Sequence, residues 1–136
     1  MIKTYTGPMH SGKTSAMITD YNKIWNKKHV MVFKPDCDTR DIGEMKSKDF
    51  EEGIKAICIE NFEDILKYVD DSTRTIFVDE VQLLTGNVSV LTYLSVVYDM
   101  DIYLAGLDMT SEQEPFLIMP QLLAISDEVV SVKASC

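Results

Sequence analysis

The 136-residue sequence predicts an α/β fold, a mainly parallel sheet flanked by helices. Short runs rich in β-branched and aromatic residues alternate with longer stretches whose apolar residues recur at helical spacing. Strands separated in this way pair in parallel, are covered on both faces, and are joined by right-handed crossovers. The residues with chemical potential follow strands, and ligands of such sheets bind beyond the strands' carboxyl ends. The length suits one domain, residues 1–136.

Ile2 to Thr6 reads as a strand. Lys13 to Asn26 reads as a helix, with Met17, Ile18, Tyr21, Ile24 and Trp25 at helical spacing. His29 to Phe33 is a second strand, ended by Lys34-Pro35. Asp36 to Gly53 is charged and weakly periodic, which predicts a loop with a short helical piece. Ile54 to Ile59 reads as a strand, and Asn61 as the cap of a helix over Phe62 to Val69, with Glu63 and Asp64 in its first turn. Thr75 to Asp79 has a buried-strand pattern, Val88 to Tyr98 reads as helix, and Ile102 to Ala105 as strand. Phe116 to Ala124 is short and partly helical, and Val129 to Lys133 is the last strand.

Composition narrows the function classes. Apolar residues make up 46% and charged ones 26%, which excludes disordered, collagen-like and coiled-coil chains. Thirteen basic against 22 acidic side chains give a net charge of −9. Such a chain lacks the basic surface that nucleic acids and anionic membranes require. No apolar run reaches transmembrane length, and the first residues lack a signal-peptide layout. Cys37, Cys58 and Cys136 are too widely spaced for a CxxC zinc ligand pair, and their odd number argues for a reducing cytoplasm.

Gly7-Pro8-Met9-His10-Ser11-Gly12-Lys13-Thr14 fits GxxxxGK[ST], with a strand before it and a helix after it. Loop amides and the positive end of the new helix converge on one place, which makes residues 7–14 a nucleotide phosphate site. Lys13 is expected at the β- and γ-phosphates, and Thr14 at Mg²⁺ through its hydroxyl. The expected fold is therefore of the P-loop NTPase type. Thr75-Ile76-Phe77-Val78-Asp79-Glu80 is an apolar strand ending in two acids. In P-loop proteins an Asp in this place serves Mg²⁺. Adjacent strand residues point to opposite faces. A strand ending at Asp79 would let the turn bring both acids to the nucleotide, with Glu80 able to accept a proton from an attacking hydroxyl or water. The two motifs alone fit a kinase, an ATPase acting on water, or a nucleotide-binding module without catalysis.

With both motifs placed, the chain resembles the type II thymidine kinases. Gly7-Pro8-Met9 with Ser11-Gly12-Lys13-Thr14, Phe33-Lys34-Pro35 with Asp38 and Arg40, and Asp79-Glu80-Val81-Gln82 match family segments in order. So do Gly106-Leu107-Asp108 with Glu114-Pro115-Phe116, and Leu122 to Ala134 leading to Cys136. The resemblance implies transfer of the ATP γ-phosphate to the 5′-hydroxyl of thymidine or a related deoxynucleoside. It implies Glu80 as general base, and Lys13 and Arg40 at the transferred phosphoryl group. It implies Thr14, Asp79 and Asp38 around Mg²⁺, and Met9, Leu83 and Phe116 at the nucleoside pocket. It also implies a homo-oligomer, tetramer or dimer. The family pattern continues past its first zinc cysteine, matched by Cys136, into a zinc-bound segment and a loop over the base. This sequence stops at that cysteine, so zinc is not expected in this chain. Leu83 and Leu84 follow Gln82 where the family has an aromatic residue, and residues 109–114 are acidic where it has basic ones.

Overall fold

The computed structural model describes residues 1–9, 11–36, 43–47, 49–108 and 117–133. In chain order its elements begin with β1 (Ile2–Gly7), α1 (Lys13–Lys23), β2 (Val30–Pro35), β3 (Glu44–Met45), β4 (Ile54–Lys55), β5 (Ile57–Ile59) and β6 (Thr75–Val78). They continue with α2 (Ser89–Val97), β7 (Asp101–Leu107), α3 (Ile118–Ile125) and β8 (Glu128–Ser131). Short 3-10 turns occupy Lys27–His29, Phe62–Lys67 and Val81–Leu83. Six strands form one sheet in the order β5-β2-β6-β7-β1-β8, every neighbouring pair parallel.

The strand alternation sorts the core into two layers. Ile76 and Val78 of β6, with Ile102 and Leu104 of β7, face a layer closed by Phe62 and Ile65, by Leu91 and Leu94 of α2, and by Met119 and Leu122 of α3. Phe77 and Ala105, one position from these in sequence, face the opposite layer, closed by Met17 and Ile18 of α1 and by Met45. Phe77 is fully buried, stacked on Tyr103 at 4.7 Å between ring centroids and met edge-on by Tyr21 at 5.5 Å.

Most expected elements stand where the pattern put them, and the differences have local causes. α1 stops at Lys23, and Ile24 turns to an extended conformation. Asn26 accepts a hydrogen bond from the Lys28 amide and starts a new turn there, so Trp25 stands 97% exposed instead of on the apolar face. β2 runs on through Lys34-Pro35, because β5 pairs with exactly that end: Lys34 with Cys58 and Pro35 with Ile59. The expected single strand over Ile54 to Ile59 is two. Ile54–Lys55 pairs antiparallel with β3 and Ile57–Ile59 joins the main sheet, so two partners claim the two halves. The expected loop over residues 36–53 contains β3, while residues 37–42 and 48 of it lie outside the described residues. Asn61 caps its segment with a full capping box shared with Asp64, but the segment is a 3-10 turn ending at Lys67. Among the described residues, no helix is long and apolar enough to cross a membrane.

β6 leads directly into the acidic pair, so its anchorage bears on the site. Phe77→Ala removes the ring between Tyr21 and Tyr103, and is expected to cost about 3–5 kcal/mol of stability. Urea titration of the wild type and the variant checks this.

Candidate active site

The first strand feeds directly into the phosphate loop. β1 lies between β7 and β8, so the loop leaves the interior of the sheet. Gly12 takes φ +90°, a left-handed conformation that favours glycine, and its carbonyl accepts the Ala16 amide at 3.0 Å as α1 begins. α1 has no acidic residue in its first turn to compete for an anion. Lys13 is 8% exposed, and its Nζ donates to the Pro8 carbonyl at 3.0 Å, across the loop's own span. Ser11 is 6% exposed, and its Oγ has no hydrogen-bond partner among the described residues. A buried hydroxyl in that state favours a polar ligand.

The acidic pair meets this loop. β6 stops at Val78, one residue earlier than the sequence pattern suggests. The Asp79 amide donates to the Phe33 carbonyl at 3.0 Å, which ties it to β2. Thr14 Oγ1 donates to Asp79 Oδ1 at 3.1 Å, with Oδ2 at 3.4 Å. Glu80 then takes φ +50°, which is uncommon outside glycine, and its amide donates to Asp79 Oδ1 at 3.0 Å. That left-handed step starts the Val81–Leu83 turn. Gln82 Nε2 donates to Glu80 Oε2 at 2.6 Å.

Burial pushes the Asp79 carboxyl up to about 7, with the Glu80 charge adding to the rise. The Glu80 amide, the Thr14 hydroxyl and the Lys34 charge pull the other way. Lys34 is 2% exposed and its Nζ donates to the Glu44 carbonyl at 2.9 Å.

Among the described residues no three His, Cys, Asp or Glu side chains cluster as a metal site. Among the described residues, the Thr14 hydroxyl and the Asp79 carboxylate stand together as oxygen donors. That sparse, hard-oxygen set fits Mg²⁺, which takes one or two protein ligands and completes its shell with phosphate oxygens and water. Pro8 and Met9 are exposed, Met9 at 52%, and Leu83 is 37% exposed after the acidic turn. His10, Asp38, Arg40 and Phe116 lie outside the described residues, as do Cys37, Cys136 and the acidic run 109–114.

Two residues near the acids carry no assigned role in the sequence reading, Lys34 and Gln82. A strand-ending Lys before Pro and a Gln two residues after Glu look like ordinary surface polarity. Their burial depends on strands distant in sequence.

A parallel α/β sheet with a phosphate loop after its first strand, and an Asp from another strand end bonded to the loop's Thr, defines a P-loop nucleotide-binding protein. A family model described as thymidine kinase matches residues 1–136. The thymidine kinase of Pseudothermotoga lettingae is 34% identical over 132 residues, covering 96% of this chain and 71% of that protein. Those of Aster yellows witches'-broom phytoplasma and Onion yellows phytoplasma are 31% and 32% identical, each over 99% of this chain and 66% of their own length. The chain belongs to the thymidine kinase family.

The raised Asp79 carboxyl has a consequence for folding. The folded chain keeps a proton that the unfolded chain releases between about pH 4 and pH 7, so stability falls as pH rises through that window. Asp79→Asn removes this dependence. The variant is expected to match the wild type near or below about pH 4, and to exceed it at about pH 8 by a few kcal/mol. Denaturant titrations at both pH values, without nucleotide or Mg²⁺, check this.

Proposed function

We propose that this chain transfers the γ-phosphoryl group of ATP to the 5′-hydroxyl of thymidine, in nucleotide salvage for DNA precursor synthesis. The observation that carries the reading is the Thr14–Asp79 hydrogen bond of 3.1 Å, which seats the acidic pair on the phosphate loop. The family supplies the acceptor, since the relatives carry the name thymidine kinase.

Residues 7–14 bind the triphosphate through loop amides, the Ser11 hydroxyl and the N-terminus of α1. Lys13 offsets charge on the β- and γ-phosphates. Thr14 and Asp79 hold Mg²⁺, with Asp38 as a further ligand by family resemblance. The cation, when bound, neutralises charge shared by the β- and γ-phosphates. Lys34 places a second buried cation where its charge acts on Asp79.

In the transfer, the 5′-oxygen forms a bond to the γ-phosphorus, the bond from that phosphorus to the β,γ-bridging oxygen breaks, and ADP leaves. Glu80 takes the hydroxyl proton. Arg40, by the same resemblance, stabilises charge on the phosphoryl group. Met9 and Leu83 are apolar and exposed, as the wall of a nucleoside pocket requires, and Phe116 joins them by resemblance. Positioning and electrostatics supply most of the acceleration in such chemistry. A cytoplasmic location goes with this reading. So does a homo-oligomer, dimer or tetramer, for which Val96 and Val97 of α2 offer exposed apolar surface.

Glu80→Gln is expected to keep Mg·ATP affinity and to lose thymidine phosphorylation by about 10²–10⁴-fold. Unchanged turnover would remove Glu80 as the base. The accompanying product assay mixes Mg·ATP with thymidine, deoxyuridine, deoxycytidine or no nucleoside. Thymidine monophosphate supports the proposal. Phosphate release that is independent of nucleoside would point to an ATPase, and bound ATP with no product to a binding module.

A further inference from the structure

Gln82 is the polar side chain at this site that the phosphoryl-transfer roles leave unused. It is 8% exposed, inside the Val81–Leu83 turn. Its two ends serve different elements. Oε1 accepts the Leu107 amide at 3.0 Å, and Nε2 donates to Glu80 Oε2 at 2.6 Å. The chemistry fixes this orientation, because an amide N–H can meet only the oxygen end. With Oε1 on Leu107, the donor end must turn to the Glu80 carboxylate.

The anchor lies on rigid structure. Leu107 ends β7 and is in register with Gly7, the first residue of the phosphate loop. Gln82 therefore ties the Glu80 carboxylate to the strand that pairs with the origin of the loop. Its path over β7 is cleared by Gly106. A Cβ on Gly106 would stand 3.0 Å from Gln82 Oε1, and 2.7 Å from a Val81 methyl carbon. A neutral amide also orients the carboxylate without adding a positive charge, which would weaken it as a base.

We propose that Gln82 is a positioning residue for phosphoryl transfer, which holds the Glu80 carboxylate in place by tying it to the end of β7. The inference rests on Glu80 as the base. A carboxylate on three rotatable bonds gains rate from such a tie, because small misplacements at a reacting centre are costly.

The experiment compares Gln82→Met, Gln82→Glu and Glu80→Gln with the double variant Glu80→Gln/Gln82→Met, measuring kcat, KM for Mg·ATP and the thermal midpoint. Gln82→Met in the two backgrounds is the decisive comparison. Gln82→Glu keeps an acceptor for the Leu107 amide but sets a second carboxyl group against Glu80, where the pair shares a proton, so its kcat is read as a pH profile. Both Gln82 variants are expected to lower kcat about ten- to a hundredfold, with KM for Mg·ATP within about twofold of wild type. Gln82→Met is expected to cause no further loss in the Glu80→Gln background. A Gln82→Met enzyme with wild-type kcat would reduce Gln82 to a structural bridge and overturn the inference. So would an equal loss from Gln82→Met with and without Glu80. Loss of activity in Glu80→Gln with unaffected Gln82 variants would sink this inference alone. Full activity in Glu80→Gln would sink the base assignment, and this inference with it.

Discussion

The structure of the site depends on one crossing. Neighbouring strands stand about 4.8 Å apart, and the phosphate loop and Asp79 follow strands separated by a third, β7. Thr14 closes that gap from the first turn of α1, with its hydroxyl on the Asp79 carboxylate. Gly106, near the end of β7, leaves room for the acidic turn, with Val81, Gln82 and Met119 packed where a side chain would stand. The phosphate loop, the acidic turn and the end of β7 thereby form a single assembly.

Charge is arranged against the grain of the chain. The net charge of −9 would repel a triphosphate from most of the surface. The phosphate loop counters this locally, with a buried Lys13, a helix N-terminus free of acids and loop amides. Lys34 adds buried positive charge near Asp79. The raised carboxyl of Asp79 is a cost of this burial. It is a group whose ionised form gains from a bound cation more than a solvated acid would. The left-handed Glu80 is another local cost. Backbone strain of that kind persists where surrounding contacts over-determine it, here the Asp79 carboxylate on one side and Gln82 on the other.

Local chemistry was legible in the residues. GxxxxGK[ST] is a contiguous device whose function needs only a strand before it and a helix after it, so Gly7 to Thr14 could be read directly. The apolar run into Asp79-Glu80 and the cap at Asn61 are likewise short-range patterns. What stayed illegible was long-range. Gln82 is bonded to an amide 25 positions away, and Lys34 influences an acid just past the end of another strand. Ile54 to Ile59 has the alternation of one strand, yet its halves pair with different partners.

The sequence by itself determined most of the elements of the main sheet and their order, the two chemical motifs and the family to which the chain belongs. Side-chain periodicity and turn chemistry act within a few residues, and carry that information without reference to the rest of the molecule. The tertiary structure alone decided that β7 lies between the two motif-bearing strands, that Thr14 reaches Asp79, and that Gln82 joins Glu80 to Leu107. Periodicity states which face of a strand is apolar but not which strand becomes its neighbour. That choice comes from the summed packing of both sheet faces, where α1 closes one layer and α2 and α3 close the other.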